Sequence, residues 1–325
     1  MKVKNTFTKV TLILLLIGLV MAVSYRELIA YGFMQLQGQL KVVREAVSLD
    51  EFMQMDSTTQ DQKEKVQVII EAKKFAFEEL GINYSDNYST IFDQKGVASM
   101  YVVTACEPYA FVPRLWSFPI VGEFPYKGFF EKEKAIEEFK RVRDEEHQDA
   151  GLRTADGWST LGWFKDPVLS NMLNRDEGDL ASLIIHELTH GTIFVKDSVT
   201  FNENLANFIG DNGAILFMEK KYGKASPEVN DFINKMSDEI VFKEYMLSSA
   251  QYLNELYQGF TTETDSLKEL RKMSRITEIK KNYDTLSFKS TRYRDYFEKY
   301  TPNNTFFMSM LRYNGQQEEL QRQLD

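Results

Sequence analysis

The pattern of apolar and polar positions divides the chain into a short apolar leader, a mixed middle third and a long helical remainder. Val10 to Val23 is an almost unbroken apolar run behind Lys2, Lys4 and Lys9. A positive flank before a run shorter than a bilayer span predicts a signal peptide over residues 1–24, with a small-x-small cleavage site at Ala22-Val23-Ser24. Left uncut, residues 10–23 become an N-terminal membrane anchor with the lysines inside. Further on, Tyr31, Gln35, Leu36, Leu40 and Val43 recur at helical spacing and predict a helix over 31–52. Asp61–Leu80 reads as a second helix, stopped by Gly81. Val97–Cys106 is β-branched and reads as a strand, and Trp158–Val168 as an extended segment. Ala135, Ile136, Phe139 and Val142 share one face of an amphipathic helix over Glu131–Glu146. Leu115–Phe130, broken by Pro119, Gly122, Pro125 and Gly128, reads as a shaped loop. Leu180–His190 is helical, a further helix opens at Thr200 and runs towards Tyr222, and almost everything from Pro227 onward follows suit. The expected class is α+β, predominantly helical, with residues 25–325 forming one domain.

Composition narrows this picture. The body is 43% apolar with 24 Phe and 16 Tyr, enough for a sizeable core. A net charge of -9 argues against nucleic acid as a partner. The single cysteine, Cys106, excludes an intrachain disulfide and a cysteine-based zinc cluster, and reads as a small buried residue. There are only three histidines, His147, His186 and His190, so any metal site draws on very few imidazoles.

Two of the three stand in LASLIIHELTH, Leu180–His190, as His-Glu-x-x-His. On a helix His186 and His190 lie one above the other and can bind one Zn²⁺. Catalytic zinc takes three protein ligands and keeps a position for water, and Glu187, next to the first ligand, is placed to act as general base on that water. The alternative is a pair of packing histidines. The third ligand is a carboxylate or His147. Glu203 is the best carboxylate, in TFNENLANFIGD on the following helix, with Asn207 four residues on to orient an imidazole from behind. Thr200 and Glu203 also spell a capping box, which would leave Glu203 merely closing its own helix.

HELTH followed by FNENLANFIG resembles the gluzincin class of zinc peptidases, in which a glutamate on a second helix completes the zinc site. More of the chain is similar to the bacterial Putative aminopeptidase family, exported proteins of the zincin group. The likeness rests on Tyr31…Gln35…Gly38-Gln39, LWSFPIVGEFPYKGFF at Leu115–Phe130, STLGWFKDPVLSNML at Ser159–Leu173, HELTH, FNENLAN, and Pro302-Asn303-Asn304. It implies a zincin-like fold, bound zinc, a peptide substrate and a place in the periplasm or cell envelope. In zincins a strand before the zinc helix pairs with extended substrate, and Ser159, Thr160, Leu161 and Gly162 are the candidates. An aminopeptidase also needs an acid for the substrate's free amine, for which Glu123 competes with Asp156 and Asp166. An oxyanion donor is sought among Tyr245, Tyr252, Tyr257, Tyr293 and Tyr313. Two other functions fit the same sequence, a zinc endopeptidase and a non-catalytic envelope binding protein on a zincin fold.

Overall fold

The computed structural model describes residues 12, 16, 20, 23–118, 122–155, 165–195, 198–298 and 300–314. The expected leader therefore falls almost wholly outside the described residues. Among the described residues, no helix is long and apolar enough to cross a membrane.

Helix α1 (Arg26–Glu45) ends seven residues earlier than its periodicity predicts. Ala46 turns extended, β1 (Val47–Ser48) pairs with the next strand, and Ser48 then caps α2 (Leu49–Gln54) by accepting from the Glu51 amide. A serine followed by two acids is a strong helix start, and it wins over continuation of the stripe. One face of α1 is latched to β6 (Lys127–Phe129): the Tyr31 hydroxyl and the Gln35 amide both donate to the Gly128 carbonyl, at 2.8 and 2.6 Å. Gly38, on the same face, lies where any Cβ would strike the Phe130 ring.

Helix α3 (Gln60–Glu78) opens with a reciprocal capping box between Thr59 and Gln62. It closes over left-handed Gly81, with the Ile82 amide reaching back to the Ala76 carbonyl. The strands are short. β2 (Thr90–Phe92) pairs antiparallel with β1 and parallel with β8 (Val168–Leu169). β3 (Tyr101–Cys106) is flanked by β6 and β7 (Asp149–Thr154), both antiparallel, and α4 (Lys132–Lys140) covers this sheet. Cys106 is fully buried there. The segment expected to be a loop instead forms β4 (Trp116–Phe118) paired with β5 (Gly122–Phe124), then β6. Gly122 serves the pairing through its backbone, taking the positive φ of 86° with which the chain enters β5.

The site is carried by α5 (Glu177–His190) and α6 (Val199–Tyr222). Leu180, Ala181, Ile184, Ile185 and Leu188 of α5 are at most 2% exposed and pack into the core that α3 also lines. Full burial of each Leu or Ile contributes about 1.5–3 kcal/mol as an upper estimate. The other face of α5 meets α6, with Gly210 and Gly213 at the crossing. Three more helices, α7 (Pro227–Gln258), α8 (Asp265–Tyr283) and α9 (Asn304–Asn314), build a second core from Met246, Leu253, Tyr283 and Phe307, joined by Phe297 from the segment between α8 and α9. Fully buried Asn304 joins it to the β3–β7 sheet, donating to the carbonyls of Glu107 and Pro108 and accepting from Tyr257. The fold is mixed α+β with helix predominating.

Candidate active site

Helices α5 and α6 run antiparallel, so residues at helical spacing on one meet residues at helical spacing on the other. Ser182, His186 and His190 form the stripe on α5; Glu203, Asn207, Gly210 and Asp211 face it from α6. Glu203 lies against both histidines, with its Oε2 3.6 Å from His186 Nε2 and its Oε1 3.5 Å from His190 Nε2. The two Nε2 atoms are 3.2 Å apart, with their rings nearly perpendicular at 88°. One turn further along, the Asn207 side chain is close enough to His186 to act on its imidazole. Beyond it, the Ser182 hydroxyl donates to Asp211 at 2.7 Å. Glu203 does not act as a cap, because α6 begins at Val199 behind Ser198 and places Thr200 inside the helix.

The three donors suit a metal ion. A tetrahedral ion with nitrogen and oxygen donors at about 2.0–2.2 Å needs edges of about 3.3–3.5 Å between them. The observed separations of 3.2, 3.5 and 3.6 Å bracket that range. One ligand atom from each of His186, His190 and Glu203 lies within 4.8 Å of the others. The charges favour a cation. Hydrogen bonding from His186, against burial, holds the Glu203 carboxyl below its usual range. Burial alone would lower the His186 imidazole, but Glu203, Glu187 and Asn207 outweigh it and raise the group. Burial, joined by the His186 charge, lowers His190.

Glu187 is next to the first histidine and turned about 100° around the helix from it. It points into a cavity of about 150 Å³ that Leu183, one turn earlier, also lines. There the Tyr88 hydroxyl donates to Glu187 Oε2 at 3.2 Å. Tyr88 is 4% exposed and sits in the left-handed region, φ 57°, which costs a non-glycine residue about 1–2 kcal/mol. Its surroundings hold it there. Its amide donates to the Asp166 carbonyl at 2.8 Å, and the preceding Asn87 carbonyl accepts from Lys73 of α3. Burial pushes that lysine down to about 8, Asp86 opposing. Burial, followed by the Glu187 charge, pushes the Tyr88 phenol well above the usual tyrosine range, so it remains a proton donor. At the end of α5, Thr192 accepts from the Asn83 amide at 3.0 Å, a second tie between this loop and the site. Strain sustained by surrounding structure beside a reactive group is a mark of functional sites.

The structure brings His186, Glu187, His190, Glu203 and Asn207 together. Ser159, Thr160, Leu161, Gly162 and Asp156 lie outside the described residues. Glu123 is exposed in β5, accepts from Ser117 at 2.8 Å, and has no described bond to the triad. Asp166 lines the cavity with Glu187. His147 is exposed at the end of a π-helical turn that follows α4. The tyrosines sought as oxyanion donors are engaged elsewhere: Tyr245 with the Ile279 carbonyl, Tyr252 with Glu278, Tyr257 with Asn304, and Tyr293 stacked on Phe242. The side chain of Tyr313 lies outside what the structure describes. The tyrosine that does reach the site, Tyr88, comes from a loop 99 residues upstream of Glu187, and no local periodicity marks it.

A family model described as "Putative aminopeptidase" matches residues 30–325. No curated protein and no solved structure matches the chain.

Proposed function

The chain belongs to the Putative aminopeptidase family, and from that premise we propose that it is a zinc-dependent aminopeptidase of the gluzincin type, on a zincin-like fold. The observation that carries the proposal is the convergence of two histidines from α5 and one glutamate from α6 beside a half-buried, tyrosine-held Glu187. In this reading His186, His190 and Glu203 are the ligands, and Asn207 fixes the His186 ring from behind. Bound zinc supplies Lewis acidity toward the scissile carbonyl and the attacking water. Glu187 accepts the proton of that water and delivers it to the leaving amine. Tyr88 occupies Glu187 Oε2 and leaves the other oxygen for the proton. Ser159–Gly162 pair with extended substrate, as the resemblance implies. The lysine-flanked run Val10–Val23 directs export to the cell envelope.

Glu187→Gln tests the chemistry, since it preserves shape and removes the base. Hydrolysis of unblocked peptides should fall by about 10²–10⁴-fold while zinc content is unchanged. A zinc-loaded Gln variant with wild-type turnover, or a zinc-loaded wild type that cleaves no unblocked peptide, would contradict the proposal.

A further inference from the structure

We propose that the outer face of α1 is a docking surface for an anionic lipid bilayer, on which the body rests with α1 lying along the headgroups. Helix α1 presents apolar side chains on two opposite sides. The inner side packs Tyr31, Met34 and Val42 onto the body. The outer side carries Ile29, Phe33, Leu36 and Leu40, all exposed, with Phe33 at 68%. At the rotation of a helix these four fall within about 60° of one another, roughly opposite the inner set. A helix apolar on both sides is ordinarily covered on both, and an unbroken exposed row of large apolar side chains marks a contact surface.

Charge identifies what covers it. Arg26, Arg44 and, further round, Lys41 border the row on one side, whereas Glu27 and Glu45 lie beyond them toward the body. Cations gathered beside an apolar row, in a chain whose net charge is -9, suit anionic headgroups. A shallow groove walled by Phe33, Leu40, Lys41 and Arg44 lies at that border. A second copy of α1 fits less well. The positions that flank the row in a helix pair, Gly32, Gln37, Gln39 and Arg44, bring no acid to meet those cations. The place of α1 in the chain agrees with a bilayer. Only Ser24 and Tyr25 separate the apolar run ending at Val23 from Arg26. Leu12, Leu16, Val20 and Val23 of that run are helical and exposed. Tyr25, at φ −105° and ψ 19°, breaks the helical path, so α1 can turn along a surface without crossing it. Its exposed ring is of the amphipathic kind that sits where lipid meets water. Val42, on the inner side, lines the cavity beside Glu187, so docking would hold that cavity within about 10 Å, one helix diameter, of the headgroups.

The test is site-specific fluorescence on the full chain reconstituted into vesicles of phosphatidylcholine and phosphatidylglycerol. Cys106 is fully buried, so a fluorophore reports from an introduced cysteine, at Phe33→Cys or Leu40→Cys on α1 or at the exposed Lys74→Cys on α3. The leader acts alike on every variant, so differences between labels report α1 itself. Nitroxide-bearing lipid should quench the two α1 labels at least about threefold more strongly than the Lys74→Cys label. Adding Lys41→Glu and Arg44→Glu, both at exposed positions, should cut that excess at least about twofold. Equal quenching at all three positions would overturn the docking, and an excess unchanged by the two charge reversals would overturn the anionic surface. Labels on α1 shielded from lipid and aqueous quenchers alike, or Phe33→Cys chains that oxidise to a disulfide-linked dimer in the vesicles, would put protein in place of the bilayer and overturn the proposal.

Discussion

Replacing Gly210 by Ala puts a Cβ 2.8 Å from the Ser182 carbonyl oxygen, 3.1 Å from His186 Cβ and 3.3 Å from His186 N. Ordinary contact begins near 3.4 Å, so the closest approach is short by 0.6 Å. The obstruction is backbone and cannot rotate away, so α6 must shift from α5 by about that distance. Metal–ligand distances tolerate roughly 0.2 Å, so the shift is about three times what the triad can absorb without rearranging. Overpacking of this size costs about 1–3 kcal/mol, and the better helix propensity of Ala offsets about 1 kcal/mol of that. Global stability should therefore fall by about 2 kcal/mol or less. The zinc Kd, read by chelator competition, should rise by about 10–100-fold, the range seen when support behind a ligand is lost. Gly213→Ala is the control: its Cβ meets Leu80 Cδ1 at 2.8 Å and Ile185 methyls at 3.2 Å, side-chain ends that can move without disturbing the ligands. A Gly210→Ala protein with wild-type stability and wild-type zinc affinity would refute the claim that this glycine sets the helix separation on which the triad depends.

Tyr88→Phe removes the donor to Glu187 and should lower kcat by about tenfold with full zinc retained, for a stability loss of about 1 kcal/mol; unchanged kcat would exclude Tyr88 from positioning the base. Away from the site, Glu138 is 8% exposed, and burial would raise its pKa, but Arg141, Trp116 and Lys127 outweigh burial and bring it down to about 2. A carboxyl held below its unfolded value stabilises fully above that value, near 4.5, and the contribution is lost as pH falls toward 2. Urea unfolding across that window should show the wild type's advantage over Glu138→Gln shrinking as pH drops; a constant difference would refute the linkage.

What could be read ahead of the structure was local in sequence. His186, Glu187 and His190 lie within one and a half turns, and Glu203 and Asn207 within one turn of the next helix, so helical spacing alone places each set on a stripe. That the two stripes meet depends on Gly210, visible in FIGDNG but not readable as a crossing point. Tyr88 and Asp166 reach the site through a left-handed residue and a few backbone bonds between distant loops, and neither leaves a periodic trace. The same limit explains α1: its stripe continues past Ala46, but pairing of Val47 with Ile91, a long-range contact, ends the helix. The aromatic segment 115–130 departs from the loop its sequence predicts for a related reason, since glycines and prolines mark turns between short strands as readily as a loop.

The most direct test of the account is the metal content of the purified residue 25–325 body beside its Glu203→Ala variant. The wild type should carry about one zinc per chain and the variant should lose it, because two imidazoles alone do not complete the site. Full zinc retention by Glu203→Ala would contradict the ligand set, and a wild type that takes up no zinc when supplied with it would contradict the metal centre itself.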